Sequence, residues 1–163
     1  MLCIMLPVRL MTIRALWPIA ALLLFPSAAN AGDPLWVVGG QYSIPLRWSG
    51  TVDLLVPTTG PRERIQKVVA FGVEGGLGGG RVTMGLGRFT EGLYGVDARV
   101  TVAQTSSHPR FAIKRATHVG VDVGLTTPIV RVTLGVARRL TGSDPAHQTV
   151  ITGSVGIVVP LRR

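Results

Sequence analysis

Residues 73–89, VEGGLGGGRVTMGLGRF, carry seven glycines in seventeen positions between apolar and β-branched side chains. A glycine run of this kind has three readings: a loop that cradles phosphate, a flexible linker, or strands that need small side chains on one face. The phosphate reading fails on chemistry. Gly75 to Arg81 imitates the start of a P-loop, but Arg81 stands where lysine belongs and Val82 where Ser or Thr belongs. No helical periodicity follows, and cradling requires a helix N-terminus. What the stretch does contain is alternation. Val82, Met84 and Leu86 share one parity, and Arg81, Thr83, Gly85 and Gly87 share the other. Period two marks a strand with two unlike faces. The stretch therefore reads as two strands joined at 77–79.

The same pattern extends in both directions. Upstream, Val69, Phe71 and Val73 oppose Gly72, Glu74 and Gly76, and Val52, Leu54 and Val56 oppose Thr51 and Asp53. Trp36, Val38, Tyr42, Ile44, Leu46 and Trp48 share one parity against Gln41, Ser43 and Arg47. Downstream, Tyr94, Val96, Ala98, Val100 and Val102 oppose Gly95, Asp97, Arg99 and Thr101. Val119, Val121, Val123 and Leu125 oppose His118, Gly120, Asp122 and Gly124. Val130, Val132, Leu134 and Val136 oppose Arg131, Thr133 and Gly135, and Ile151, Val155, Ile157 and Val159 oppose Thr152, Ser154 and Gly156. The sequence thus predicts about eight strands, over 35–48, 51–57, 66–76, 80–89, 93–104, 117–126, 128–140 and 149–159. Short connections are expected at Ser49 and Gly50, at 77–79, and at Thr126 and Thr127; the longest is 106–116. The fold class is all-β, an antiparallel up-and-down barrel.

The first 31 residues read differently. Arg9 and Arg14 precede the apolar run 15–25, and Ala29 and Ala31 form a small-residue cleavage site before Gly32. That is the layout of a cleavable secretory signal over 1–31, with translation starting at Met1 or Met11. The apolar run is too short for a helix that needs about 20 residues to cross a bilayer. A single barrel domain over 32–163 remains. The sole cysteine, Cys3, lies in the signal, so no disulfide framework supports the exported chain.

Charge narrows the partners. Beyond residue 31 the chain holds 15 basic against 8 acidic residues. An exported basic protein meets anionic lipid head groups rather than nucleic acid. Charged residues are only 15% of the chain, against roughly 25% in ordinary soluble domains. So few charges leave an aqueous surface poorly covered.

Two barrels share this alternation. A soluble ligand-binding barrel turns its apolar face inward, and an outer-membrane barrel turns it outward. Nine strand glycines (Gly72, Gly76, Gly85, Gly87, Gly95, Gly120, Gly124, Gly135 and Gly156) share the polar parity, as befits a narrow lumen that side chains nearly fill. Trp36, Trp48, Tyr42, Phe89 and Tyr94 sit towards strand ends, where aromatic girdles meet head groups. The expectation is a polar lumen and an apolar exterior. Buried charges are costly unless paired, so Glu74, Asp97 and Asp122 are expected to pair with Arg81, Arg99 and Arg131 and to fill the lumen. The basic connection bearing Arg110, Lys114 and Arg115 is the candidate contact for lipid head groups, including lipopolysaccharide phosphates.

The signal followed by eight alternating strands resembles the small bacterial outer-membrane β-barrel proteins over nearly all of 32–163. GVEGGLGGGRVTMGLG, THVGVDVGL and TLGVARRLTG also look like an uncharacterised group of such barrels. The resemblance implies residence in the bacterial outer membrane, contact with its lipids, and insertion by the outer-membrane assembly machinery. That machinery usually recognises a last strand ending in an aromatic residue; here Leu161 and two arginines stand at the end.

Catalytic signals are weak. His108, His118 and His147 are scattered without metal-ligand spacing. Ser106, Ser107 and His108 are neighbours on a connection without a nearby acid, and Pro109 marks a turn. No cofactor, metal or catalytic residue is assigned. The reading is a structural or surface-interaction barrel with a filled lumen. The alternatives are a soluble periplasmic barrel of lipocalin-like design binding an apolar ligand and, more weakly, a membrane-embedded lipid-modifying enzyme.

Overall fold

A computed structural model describes residues 33–60, 63–90, 92–106, 108–109, 112, 115–141 and 149–161; the signal expected over 1–31 lies outside them. Eight strands follow one another: β1 (Leu35–Ile44), β2 (Arg47–Pro57), β3 (Ile65–Gly76), β4 (Gly79–Thr90), β5 (Gly95–Thr105), β6 (Thr117–Thr126), β7 (Val130–Arg139) and β8 (Thr149–Leu161). Each pairs antiparallel with the next, and β8 pairs back onto β1, so the sheet closes into one barrel without an edge.

The register sets its dimensions. Paired residues followed once round the barrel run from Leu35 through Leu55, Ala70, Gly85, Arg99, Asp122, Gly135 and Thr152. Because Gly153 pairs with Ile44, the path returns level with Pro45, ten residues beyond its start. With a rise of about 3.3 Å per residue and strands about 4.7 Å apart, that offset tilts the strands by about 40°. The backbone cylinder is then about 8 Å in radius, wide enough only for side chains to fill.

Three expected connections shift. Ser49 and Gly50 lie inside β2, and the first turn is made instead by Pro45 and Leu46. Proline has no amide hydrogen for the ladder, and Arg47 re-enters the sheet with a left-handed φ of 65°. Within the turn the alternation breaks. Leu46, expected with Trp36 on the apolar face, is fully buried, while Trp48 stays exposed. The β3–β4 turn is Leu77 and Gly78 alone, since Gly79 already begins β4. The β6–β7 connection spans 127–129.

The barrel has two distinct ends. Residues 33 and 161 lie at one, together with the β2–β3, β4–β5 and β6–β7 connections. At the other, neighbouring connections bond to each other: the Gly78 amide donates to the Leu46 carbonyl at 2.9 Å and the Ser106 amide to the Gly78 carbonyl at 2.7 Å.

Alternation sorts the two faces as polar inside and apolar outside. Along β5 every odd residue from Asp97 to Thr105 is buried and every even residue from Val96 to Gln104 is exposed. Leu86, Val100, Val123, Leu134 and Ile157 all project outward and are exposed. The buried apolar cluster is small and sits inside the terminal end: Val37, Leu55, Val68, Ala70, Phe89, Leu93 and Val158. Phe89 is a correction, since it was expected in the outer aromatic girdle. Strand β4 runs from Arg81 to Phe89 without a bulge, so Phe89 keeps the inward parity and is 4% exposed. Gly87 makes room for it: a Cβ there would lie 2.8 Å from the ring.

Candidate functional site: the barrel lumen

Above the apolar cluster the lumen is filled by charge. Four carboxylates and three guanidinium groups, from β2, β3, β4, β5, β6 and β7, point inward and are buried. They form two groups.

The first is a closed quartet. Arg99 pairs with Asp97, its Nε 2.9 Å from Oδ1, and also with Asp53. Arg131 reaches the same two acids, Nη1 to Asp53 Oδ2 at 2.8 Å and Nη2 to Asp97 Oδ2 at 2.9 Å. Each acid thus sits between two arginines, and each arginine between two acids. Planar guanidinium groups suit this task because they donate in fixed, divergent directions. Arg99 Nη1 also donates to Thr83 Oγ1 at 3.3 Å.

The second group hangs on Arg81, which pairs with Glu74 and lies 3.5 Å from Asp122 Oδ2. Hydroxyls reach both carboxylates. Ser43 donates to Glu74 Oε1 at 2.6 Å, with Ser49 on the same oxygen. Thr152 donates to Asp122 Oδ1 at 2.5 Å, and Thr101 to Oδ2. A buried acid is tolerable when its lone pairs are occupied in this way.

The lumen glycines leave this network its space. A Cβ at Gly72 would lie 2.6 Å from Thr83 Oγ1 and 2.8 Å from Arg99 Nη1; one at Gly124 would lie 2.8 Å from Asp97 Oδ1. A Cβ at Gly135 would run into Asp122 Oδ1. Free space at the level of the network is about 20 Å³, room for about one water.

All six charged residues expected in the lumen, Glu74, Arg81, Asp97, Arg99, Asp122 and Arg131, are brought together there. The seventh, Asp53, was missed as a member although its parity with Thr51 already placed it on the polar face. In the second expected site, Arg110 and Lys114 lie outside the described residues. Arg115 is exposed on the 106–116 connection, at the end away from the termini, with a φ of 52°. Its amide donates to the Ser106 carbonyl at 3.1 Å.

Nearer that end the polar lining is less complete. His118, which faces Arg139 across β6 and β7, is buried, and neither ring nitrogen makes a hydrogen bond. Arg139 Nη1 is likewise unsatisfied there, and so, at the terminal end, is Thr126 Oγ1. Among the described residues no three His, Cys, Asp or Glu side chains converge as metal ligands. The outer aromatics divide between the ends: Trp36 and Tyr94 at the terminal end, and Tyr42 with Trp48 at the other, edge to face with centroids 5.4 Å apart. Compared with known protein families, with curated proteins and with solved structures, the chain has no significant match to any of the three.

Proposed function

We propose that the chain is an exported outer-membrane β-barrel of structural or surface-interaction type, with a lumen closed by its ion-pair network. The supporting observation is the inversion of its faces. Ion pairs occupy the centre, while large apolar side chains are exposed on the outside of all eight strands. Contiguous apolar surface on this scale demands a partner, and here it rings the molecule. Projected through the 40° tilt, the exposed apolar side chains from Tyr94 to Ile151 span roughly 25 Å, the height of the apolar band of such barrels. Closure also satisfies the rule that backbone in hydrocarbon must be fully paired. In this reading residues 1–31 are the export signal, outer-membrane lipids are the main partners, and no catalytic role is assigned.

The soluble lipocalin-like reading needs an apolar chamber inside. Among the described residues the inner apolar cluster is the one around Phe89. The space of about 340 Å³ beside it lies at the terminal mouth, also lined by Asp33, Gln66 and Thr90, and the charged network above it leaves only about 20 Å³. Fractionation tests the proposal. The chain is expected in the outer-membrane fraction, migrating in detergent gels at a different position before and after boiling. Release with the soluble periplasm would refute it.

A further inference from the structure

Two cations lie side by side on the outside of the terminal end. Lys67 in β3 and Arg88 in β4 are direct cross-strand partners, and both are exposed. Like charges in that position repel each other. No carboxylate among the described residues pairs with either. Beside them a groove of about 650 Å³ runs across β4, β5 and β6. Its walls are Leu86, Val96 and Val123. Ala98, which pairs with Leu86 on one side and Val123 on the other, makes its low point. A cationic pair thus sits at the mouth of an apolar trough, at the same end of the barrel as Tyr94.

We infer that this surface binds one anionic phospholipid, its phosphate between Lys67 and Arg88 and an acyl chain over Ala98. The inference rests on the membrane reading above and names a lipid that the reading leaves open. Charge complementarity selects the head group, because a phosphodiester without a cation of its own relieves the repulsion that a zwitterionic head group would largely leave. The trough selects a lipid over free phosphate, since the ion alone leaves Leu86, Val96 and Val123 uncovered. The place differs from the basic 106–116 connection, which lies at the opposite end.

The test uses the refolded full chain in mixed micelles containing equal amounts of phosphatidylglycerol and phosphatidylcholine, with retained lipid counted by native mass spectrometry. Wild type should retain phosphatidylglycerol preferentially, and each cation removed should weaken that preference about fivefold. K67Q/R88Q should therefore abolish it, while R138Q, at the other end, should leave it intact. A98F keeps both charges and fills the trough, and it should reduce retention of phosphatidylglycerol. Equal retention of the two lipids by wild type, or an unchanged preference in K67Q/R88Q, would overturn the inference. So would displacement by an equal concentration of inorganic phosphate, which would reveal an ion site without a lipid. Migration before and after boiling is read on the same samples. A folded barrel without lipid preference sinks this inference alone, whereas a chain that never folds in lipid or detergent sinks the membrane reading with it.

Discussion

Arg99 holds two carboxylates at once, Asp53 and Asp97, in a lumen with space for about one water. Arg99→Met should leave both acids beside Arg131 alone, at a cost of about 3–5 kcal/mol. Denaturant unfolding of the refolded barrel measures this, and an unchanged midpoint would mean the quartet contributes nothing. Glycines offer a sharper contrast at the same scale. Gly75 projects outward with nothing within 4 Å of an added Cβ, whereas a Cβ at Gly135 meets Asp122 and the Val121 carbonyl. Gly75→Ala should stabilise by about 0.5–1 kcal/mol through lost unfolded-state freedom. Gly135→Ala should destabilise by about 1–3 kcal/mol through overpacking. Equal effects at the two sites would contradict the assignment of faces. The residues that make the lumen were legible because charge and glycine shared one parity. Asp53 escaped notice because the stretch 51–57 shows a single acid and no arginine, and only the closed sheet brings Arg99 and Arg131 across to it.

Each strand carries the whole plan in its alternation, which is why eight strands could be placed from sequence with ends close to those observed. The exception is instructive. From Trp36 to Trp48 the apolar parity runs unbroken, so Pro45 looked like an irregularity within one strand. In the structure it is the turn, and the parity resumes by coincidence after a two-residue reversal that buries Leu46. Phe89 misled for a related reason: an aromatic near a strand end suggests a girdle, yet parity, which is stricter, turns it inward. Strand faces also predict opposite costs for the same substitution. Val123 lies outward near mid-height and is 62% exposed. In a bilayer Val123→Arg should cost about 2–4 kcal/mol. On a water-facing surface it would fall within about 0.5 kcal/mol. Unfolding in phospholipid vesicles distinguishes the two values.

Across the whole molecule, closure and tilt fix a narrow cylinder whose centre is held by ion pairs and whose terminal end is packed by the cluster around Phe89. A lumen so filled should carry no steady ionic current. Planar-bilayer recording of the wild type is expected to show none, and a large, stable conductance would overturn the closed-lumen reading. Fold and lumen chemistry follow from local rules repeated eight times, so one chain suffices to read them. A partner or physiological role depends on what lies outside the barrel, and alternation carries no information about that. The central claim is that the outer face of the strands meets lipid. The only cysteine of the chain is Cys3, so a chain begun at residue 32 accepts single-cysteine labels cleanly. Spin labels at Val121, Val123 and Leu125 of β6, in the barrel refolded into vesicles, measure that claim most directly. The account predicts strong relaxation by lipid-dissolved oxygen and little by a water-soluble nickel chelate at all three sites. Dominant relaxation by the nickel chelate at these positions would contradict it.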